Sequence, residues 1–229
     1  TGIAALVNKK CDIANASRQM KPKEVEQASN AGVTAKRVVV AFDGLSVIVN
    51  GGNPVRQLTM EQIGKIFSGD IKNWSEVGGS SSPITLYGRQ SNSGTFSFFR
   101  DLVVKKDYSG SMNQMNGNAQ IVEAVKSDPS GIGYVGVGYV RDVSGITVLK
   151  VASRAGGTYA SPLNADDVKT GVYPISRPLN QYINGTPSGA LRDFIAFELS
   201  PEGQRIVEEE GFFPVPNDYQ EYNKTRVGI

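Results

Sequence analysis

No histidine occurs anywhere in the 229 residues. Its absence excludes a Ser-His-Asp or Cys-His catalytic unit and removes the commonest protein ligand for zinc, copper and non-haem iron. There is one cysteine, Cys11, so no internal disulfide can form. Between Lys9-Lys10 and Asp12-Ile13 it reads as a small, quiet, half-buried residue rather than a reactive thiol. So few cysteines leave the compartment open. No apolar run reaches the roughly 18 residues needed to span a membrane. No basic block is dense enough for a nucleic-acid footprint, because the 24 Lys and Arg and the 22 Asp and Glu are interspersed and sum to +2. The opening Thr1-Gly2-Ile3 carries neither an initiator methionine nor an apolar leader, which sets the expectation that a leader or further sequence lies upstream.

What is present is a loop-rich chain with 26 glycines and 11 prolines, large enough for one big core or two smaller ones. Helical and extended patterns interleave along its length, which predicts an α/β fold. Ile3–Val7, Pro22–Ala31, the segment opened by the Thr59-Met-Glu-Gln62 capping box, Asn118–Val125, a short turn at Asn164–Val168, and two segments opened by Pro187 and Pro201 read as helices. Extended segments are expected at Asp12–Arg18, Arg37–Asn50, Ile84–Tyr87, Ile132–Val140, Ile146–Val151 and Tyr173–Ile183. Asn73–Val77 reads as loop, and the polar tail from Asn217 as a surface wrap. Asn73, Asn184 and Asn223 head glycosylation sequons, a pattern frequent by chance.

Three stretches bear on function. In Tyr87–Val104 a strand end passes through small polar residues into Phe96, Phe99, Leu102 and Val103, an apolar stripe at helical spacing. A helix N-terminus therefore falls near Ser93-Gly94-Thr95, where unpaired N–H groups and the positive end of the dipole favour an anion, with Arg89 placed to grip two of its oxygens. An ordinary helix with Ser93 as its N-cap fits the same residues equally well. In the second stretch, Asp43-Gly44 interrupts a β-branched run. It reads as either a hairpin turn or a bulge that presents a carboxylate, and the apolar residues on both sides favour the bulge. In the third, Gly131, Gly133 and Gly136 spell G-x-G-x-x-G, but strand-like residues continue through it to Arg141. No helix opens there, so a nucleotide fingerprint is not expected.

Several of these segments recur together, in order, in one family. They are Asp12-Ile-Ala-Asn-Ala-Ser-Arg18, Asp43-Gly-Leu-Ser-Val-Ile-Val-Asn50, Leu58-Thr59 with Ile66-Phe67-Ser68-Gly69, and Asn73-Trp74. Arg89 with Ser93-Gly94-Thr95, Ile132-Gly-Tyr134-Val135 and Tyr173-Pro-Ile-Ser-Arg-Pro178 complete the series. From Thr1 to about Val215 the chain resembles the phosphate-binding proteins of the high-affinity bacterial phosphate ABC transporter, which are type II periplasmic binding proteins. The resemblance implies a two-lobed α/β fold closing on one inorganic phosphate, here lacking the family's N-terminal strand-helix-strand segment. The lobes would be 1–47 with 176–229, and 48–175. It implies a phosphate-binding set of Ser17, Asp43, Arg89, Ser93, Gly94 and Thr95, with Arg18 and Asn118 as further candidates. Some members carry an aspartate directly after the equivalent of Ser17. Arg18 stands there in this chain, so the acceptor role falls to Asp43.

The same resemblance implies a monomeric periplasmic or extracellular receptor, free or lipid-anchored, that hands phosphate to a membrane permease. It would be neither an enzyme nor a nucleic-acid binder, and would hold no cofactor or metal. Alternatives on the same fold are a receptor for another tetrahedral oxyanion, such as sulfate or molybdate, and an interaction protein without a transport role. A phosphate-ester hydrolase using Ser93 or Cys11 lacks histidine, paired carboxylates and a metal cluster to support it.

Overall fold

The computed structural model describes residues 2–229. From the N-terminus the elements are α1 (Gly2–Val7), β1 (Ile13–Ala16), α2 (Pro22–Asn30), β2 (Ala35–Asn50), β3 (Gln57–Thr59) and α3 (Met60–Ser68). Then come β4 (Thr85–Arg89), α4 (Gly94–Phe99), β5 (Asn113–Met115), α5 (Asn118–Ser127) and β6 (Gly131–Gly136). The remainder is β7 (Ile146–Val148), β8 (Lys150–Ala152), α6 (Ala165–Lys169), β9 (Ser176–Asn184), α7 (Gly189–Leu199), α8 (Pro201–Glu209) and α9 (Asn217–Val227). The chain divides into two compact units, residues 1–43 with 177–229, and residues 44–176. Among the described residues no helix is long and apolar enough to cross a membrane.

In the first unit β1 pairs antiparallel with β9, from Ile13 opposite Ile183 to Ala16 opposite Asn180. Ile3 and Leu6 of α1 bury against Ala14, Ala28, Val33 and Tyr182, with Cys11 half-buried at the edge of that cluster. A second cluster joins Val38, Ile183, Ile195 and Val227. Val227 belongs to α9, so the tail is not the surface wrap its polarity suggests but a docked helix. Its Asn223 is buried, accepting from the Val39 N–H at 2.9 Å and donating to the Val39 carbonyl at 2.8 Å. One amide side chain thereby satisfies both groups of a buried backbone position, and it is closed to glycosylation. Of the other α7 apolar residues, Leu191 and Leu199 pack half-buried against that cluster, while Phe194 and Phe197 remain exposed.

In the second unit the later half of β2 pairs antiparallel with β6, Leu45 opposite Gly136 through Val49 opposite Ile132, and with β7. Parallel pairing then continues from β6 to β4 and from β4 to β5. Helix α5 packs Ile121, Val122 and Val125 against Ile48 and Val135. The glycine fingerprint lies inside β6, as its strand-like context predicts, and it has a packing reason: a Cβ at Gly133 would fall 2.6 Å from Ile121 Cγ2.

Asp43-Gly44 forms neither of the two expected features as a break in the strand, because β2 runs continuously through it. What changes there is the partner. Phe42 exchanges hydrogen bonds with Phe213, whereas the Leu45 N–H donates to Ile175 and the ladder to β6 begins. Thr59 and Gln62 form the expected capping box on α3, with Gly69 left-handed after it (φ 82°). After Phe99 the helix widens into a π turn, Arg100–Val104, closed by the Lys105 N–H on the Arg100 carbonyl. The extra residue per turn rotates the stripe, so Phe99, Val103 and Val104 are buried while Phe96 and Leu102 are half-exposed. Three segments are also shorter or tighter than expected. Asn73 caps a 3-10 turn at Trp74–Val77, β6 ends in another at Val137–Tyr139, and Ile146–Val151 splits into β7 and β8.

One buried contact in the first unit is incomplete. Gln181 Nε2 donates to Glu198 Oε1 at 2.8 Å, which leaves Gln181 Oε1 and Glu198 Oε2 as buried acceptors without donors. Burial pushes the Glu198 carboxyl above its ordinary 4.5, and the bond from Gln181 only partly offsets this. The folded state therefore holds the proton more tightly than the unfolded chain. That contribution is complete below the ordinary glutamate value and is lost as pH rises through the raised one. Glu198→Gln is expected to raise Tm at pH 7, with the gain shrinking as the pH is lowered toward 4 in thermal melts. A gain that is constant with pH would remove the carboxyl as its cause.

Candidate functional site

In the second unit, parallel strands β4 and β5 end side by side, and each is followed by a helix. In open α/β sheets that end of the strands is where ligands bind. Arg89 is the last residue of β4 and pairs in register with Met115, the last of β5. Four residues on, Ser93 caps α4: its Oγ accepts from the Thr95 N–H at 3.2 Å. The capping reading of Ser93 is thus correct, yet it does not exhaust the hydroxyl, whose own hydrogen stays available to donate. Gly94 is the first residue of α4, where a backbone N–H has no partner within the helix. Thr95 is buried one position further. Asn118 opens α5, and its Oδ1 lies 3.4 Å from Arg89 Nη1. Arg89 thus ends one strand, and Ser93, Gly94, Thr95 and Asn118 lie at the starts of the two helices that follow these strand ends. Arg89 Nε is buried with no partner, so the guanidinium retains donor capacity.

An aromatic cluster underlies this end. Tyr134 of β6 is fully buried, stacked on Phe99 at 4.1 Å and 12° and edge-on to Phe67. Its hydroxyl accepts the Arg89 N–H at 3.1 Å and lies 3.1 Å from the Tyr108 hydroxyl. Tyr108 donates to the Phe96 carbonyl at 2.9 Å. Burial, reinforced by Tyr134, holds the Tyr108 phenol far above the usual tyrosine range, so it stays a neutral donor. Two phenols thereby tie the backbone of Arg89 to the backbone of α4. Gly88 makes the approach possible, since a Cβ there would meet Tyr134 Cε1 at 3.0 Å.

In the first unit, Asp43 is 1% exposed and paired with Arg177, itself 5% exposed. Arg177 Nε and Nη2 both donate to Asp43 Oδ2, at 3.2 and 3.0 Å, and Nη1 donates to the Ser17 carbonyl at 3.1 Å. Asp43 Oδ1 is buried and has no partner. Arg18 is placed otherwise: its guanidinium forks onto Glu24 at 2.7 Å through each of two nitrogens, and this holds the Glu24 carboxyl below its ordinary value. Sequence reasoning missed Arg177. The available signal was the carboxylate itself, because an aspartate inside a β-branched run needs a buried cation. The motif Tyr173–Pro178 supplies one. Among the described residues no group of three or more His, Cys, Asp or Glu could hold a metal ion.

A model of the PBP superfamily domain matches residues 1–202. The phosphate-binding protein PstS of Pseudomonas aeruginosa is 30% identical over 247 residues, an alignment covering all of this chain and 76% of that protein. The chain belongs to the PstS phosphate-binding family. PstS of Borreliella burgdorferi is 32% identical over 93% of this chain and 76% of its own length. Among solved structures, a candidate phosphate ABC transporter substrate-binding protein of Clostridium perfringens, crystallised with phosphate, superposes with a TM-score of 0.81. It is 31% identical, and the match covers 93% of this chain and 83% of that one. Family membership accounts for the α/β architecture. The two PstS relatives are phosphate-binding proteins and the Clostridium protein is a transporter substrate-binding protein, so the family is one of binding proteins rather than enzymes.

Proposed function

We propose that this chain is an extracytoplasmic receptor that captures inorganic phosphate and delivers it to an ABC importer in the membrane. The observation that carries this reading is the match across nearly the whole chain to a protein solved with phosphate bound. The second unit supplies the donors: the Arg89 guanidinium, the Ser93 and Thr95 hydroxyls and the Gly94 N–H, with Asn118 beside Arg89. In the first unit, taken by itself, the proposed residues are Ser17 and Asp43, whose Oδ1 is buried without a partner. Selectivity follows from hydrogen count. Phosphate at neutral pH keeps at least one O–H to give to Asp43 Oδ1, whereas sulfate has none and would leave a charged acceptor unpaired, at a cost of roughly 1–3 kcal/mol or more.

A thermal-shift series with phosphate, arsenate, sulfate and molybdate tests the reading. Phosphate and arsenate, both protonated tetrahedral anions, are expected to raise Tm with concentration, while sulfate and molybdate leave it unchanged. An equal rise with sulfate would remove the role given to Asp43, and no rise with phosphate would remove the function.

A further inference from the structure

We infer that Arg177 is the positioning residue that sets oxyanion specificity, by fixing which oxygen of Asp43 faces the ligand. The inference rests on the phosphate reading above. A carboxylate can usually turn about its Cβ–Cγ bond and offer either oxygen. Here two nitrogens of one guanidinium converge on the same atom, Oδ2, at 3.2 and 3.0 Å. A pairing that used both oxygens would have left no acceptor, but this one leaves Oδ1 buried and unspent. The third nitrogen, Nη1, reaches the Ser17 carbonyl at 3.1 Å, immediately after β1. Asn180, also on β9, donates to the preceding carbonyl of Ala16 at 3.3 Å. Thus β9 holds both ligand-bearing segments of the first unit, the loop after β1 and the midpoint of β2, through one rigid fork.

The planar fork matters as well as the charge. A lysine would still neutralise Asp43, but as a single point charge it cannot hold Oδ2 from two directions and the Ser17 carbonyl from a third. Arg177→Lys therefore separates positioning from neutralisation. Calorimetric titrations of the wild-type chain and of this variant, each with phosphate and with sulfate, make the test, with thermal melts as the folding control. The wild type is expected to bind phosphate and to reject sulfate. Arg177→Lys is expected to lose about tenfold or more in phosphate affinity while sulfate binding holds or rises, so the ratio falls by at least that factor. An unchanged ratio, or an equal loss for both anions, would overturn the positioning role while leaving the phosphate reading intact. A wild type that binds no phosphate would overturn both.

Should Arg177→Lys fail to fold, Asp43→Asn and the double variant Asp43→Asn with Arg177→Gln decide the question. Once the carboxylate is gone Arg177 no longer sets which of its oxygens faces the ligand, and its bond to the Ser17 carbonyl bears on both anions alike, so the two are expected to show the same phosphate-to-sulfate ratio within about twofold whatever happens to absolute affinity. A further loss of selectivity in the double variant would overturn the proposal.

Discussion

Arg89→Met is expected to weaken phosphate binding about 100-fold while leaving the fold intact. The arginine ends β4 with Nε buried and unpartnered among the described residues, and its Nη1 makes a long bond to Asn118 Oδ1 at 3.4 Å. Two charge-assisted hydrogen bonds to a phosphate, at about 1.5 kcal/mol each, amount to about 3 kcal/mol, or roughly two decades in Kd. Methionine keeps much of the apolar stem, and the backbone N–H of residue 89 stays on the Tyr134 hydroxyl, so the melting temperature should move little. Calorimetric titration with phosphate, paired with a thermal melt, checks both halves. An affinity within threefold of wild type would mean that the guanidinium serves only to support Asn118 and the loop.

Phe99→Ala carries the largest expected loss of stability. Phe99 is fully buried, stacked on Tyr134 at 4.1 Å and edge-on to Phe67 at 5.1 Å. Its removal is expected to cost about 3–5 kcal/mol, which lowers Tm by roughly 10 °C. The effect should reach the proposed anion-binding end of the unit. Tyr134 loses the nearer of its two stacking partners, and its hydroxyl is what receives the Arg89 N–H, while Tyr108 holds the Phe96 carbonyl from the same cluster. Phosphate affinity is therefore expected to fall severalfold in the fraction that remains folded, whereas a core truncation remote from this cluster, such as Ile195→Ala in the first unit, should leave it unchanged. A loss below about 1 kcal/mol would show that the cluster yields easily and does not brace the loop.

Much of the architecture was legible because local signals agreed with one another. The Thr59–Gln62 capping box, the Gly69 stop, the Pro201 start and the period of Ile121, Val122 and Val125 each name one helix and one face. The donor-bearing half of the candidate site was legible for the same reason, since a strand, a polar turn and an apolar stripe place a helix N-terminus within a residue or two. Features created by long-range contact were not legible. Asn217–Val227 is polar and lacks an amphipathic pattern, yet it forms a helix because Asn223 and Val227 dock on the first unit. The π turn after Phe99 has no marker in composition, and it moved the buried stripe by one residue. Asp43 was placed in the right strand but given a bulge, because a buried carboxylate in an apolar run looks like a break until its partner, 134 residues later, is found. The same separation hid Arg177.

The central claim is that this chain selects phosphate by the proton the anion carries. Calorimetric titration of the wild-type chain with phosphate, in buffers with and without a large excess of sulfate, tests it most directly. The account predicts saturable binding of one phosphate per chain with the same affinity in both buffers. Displacement of phosphate by sulfate, or no binding in either buffer, would contradict it.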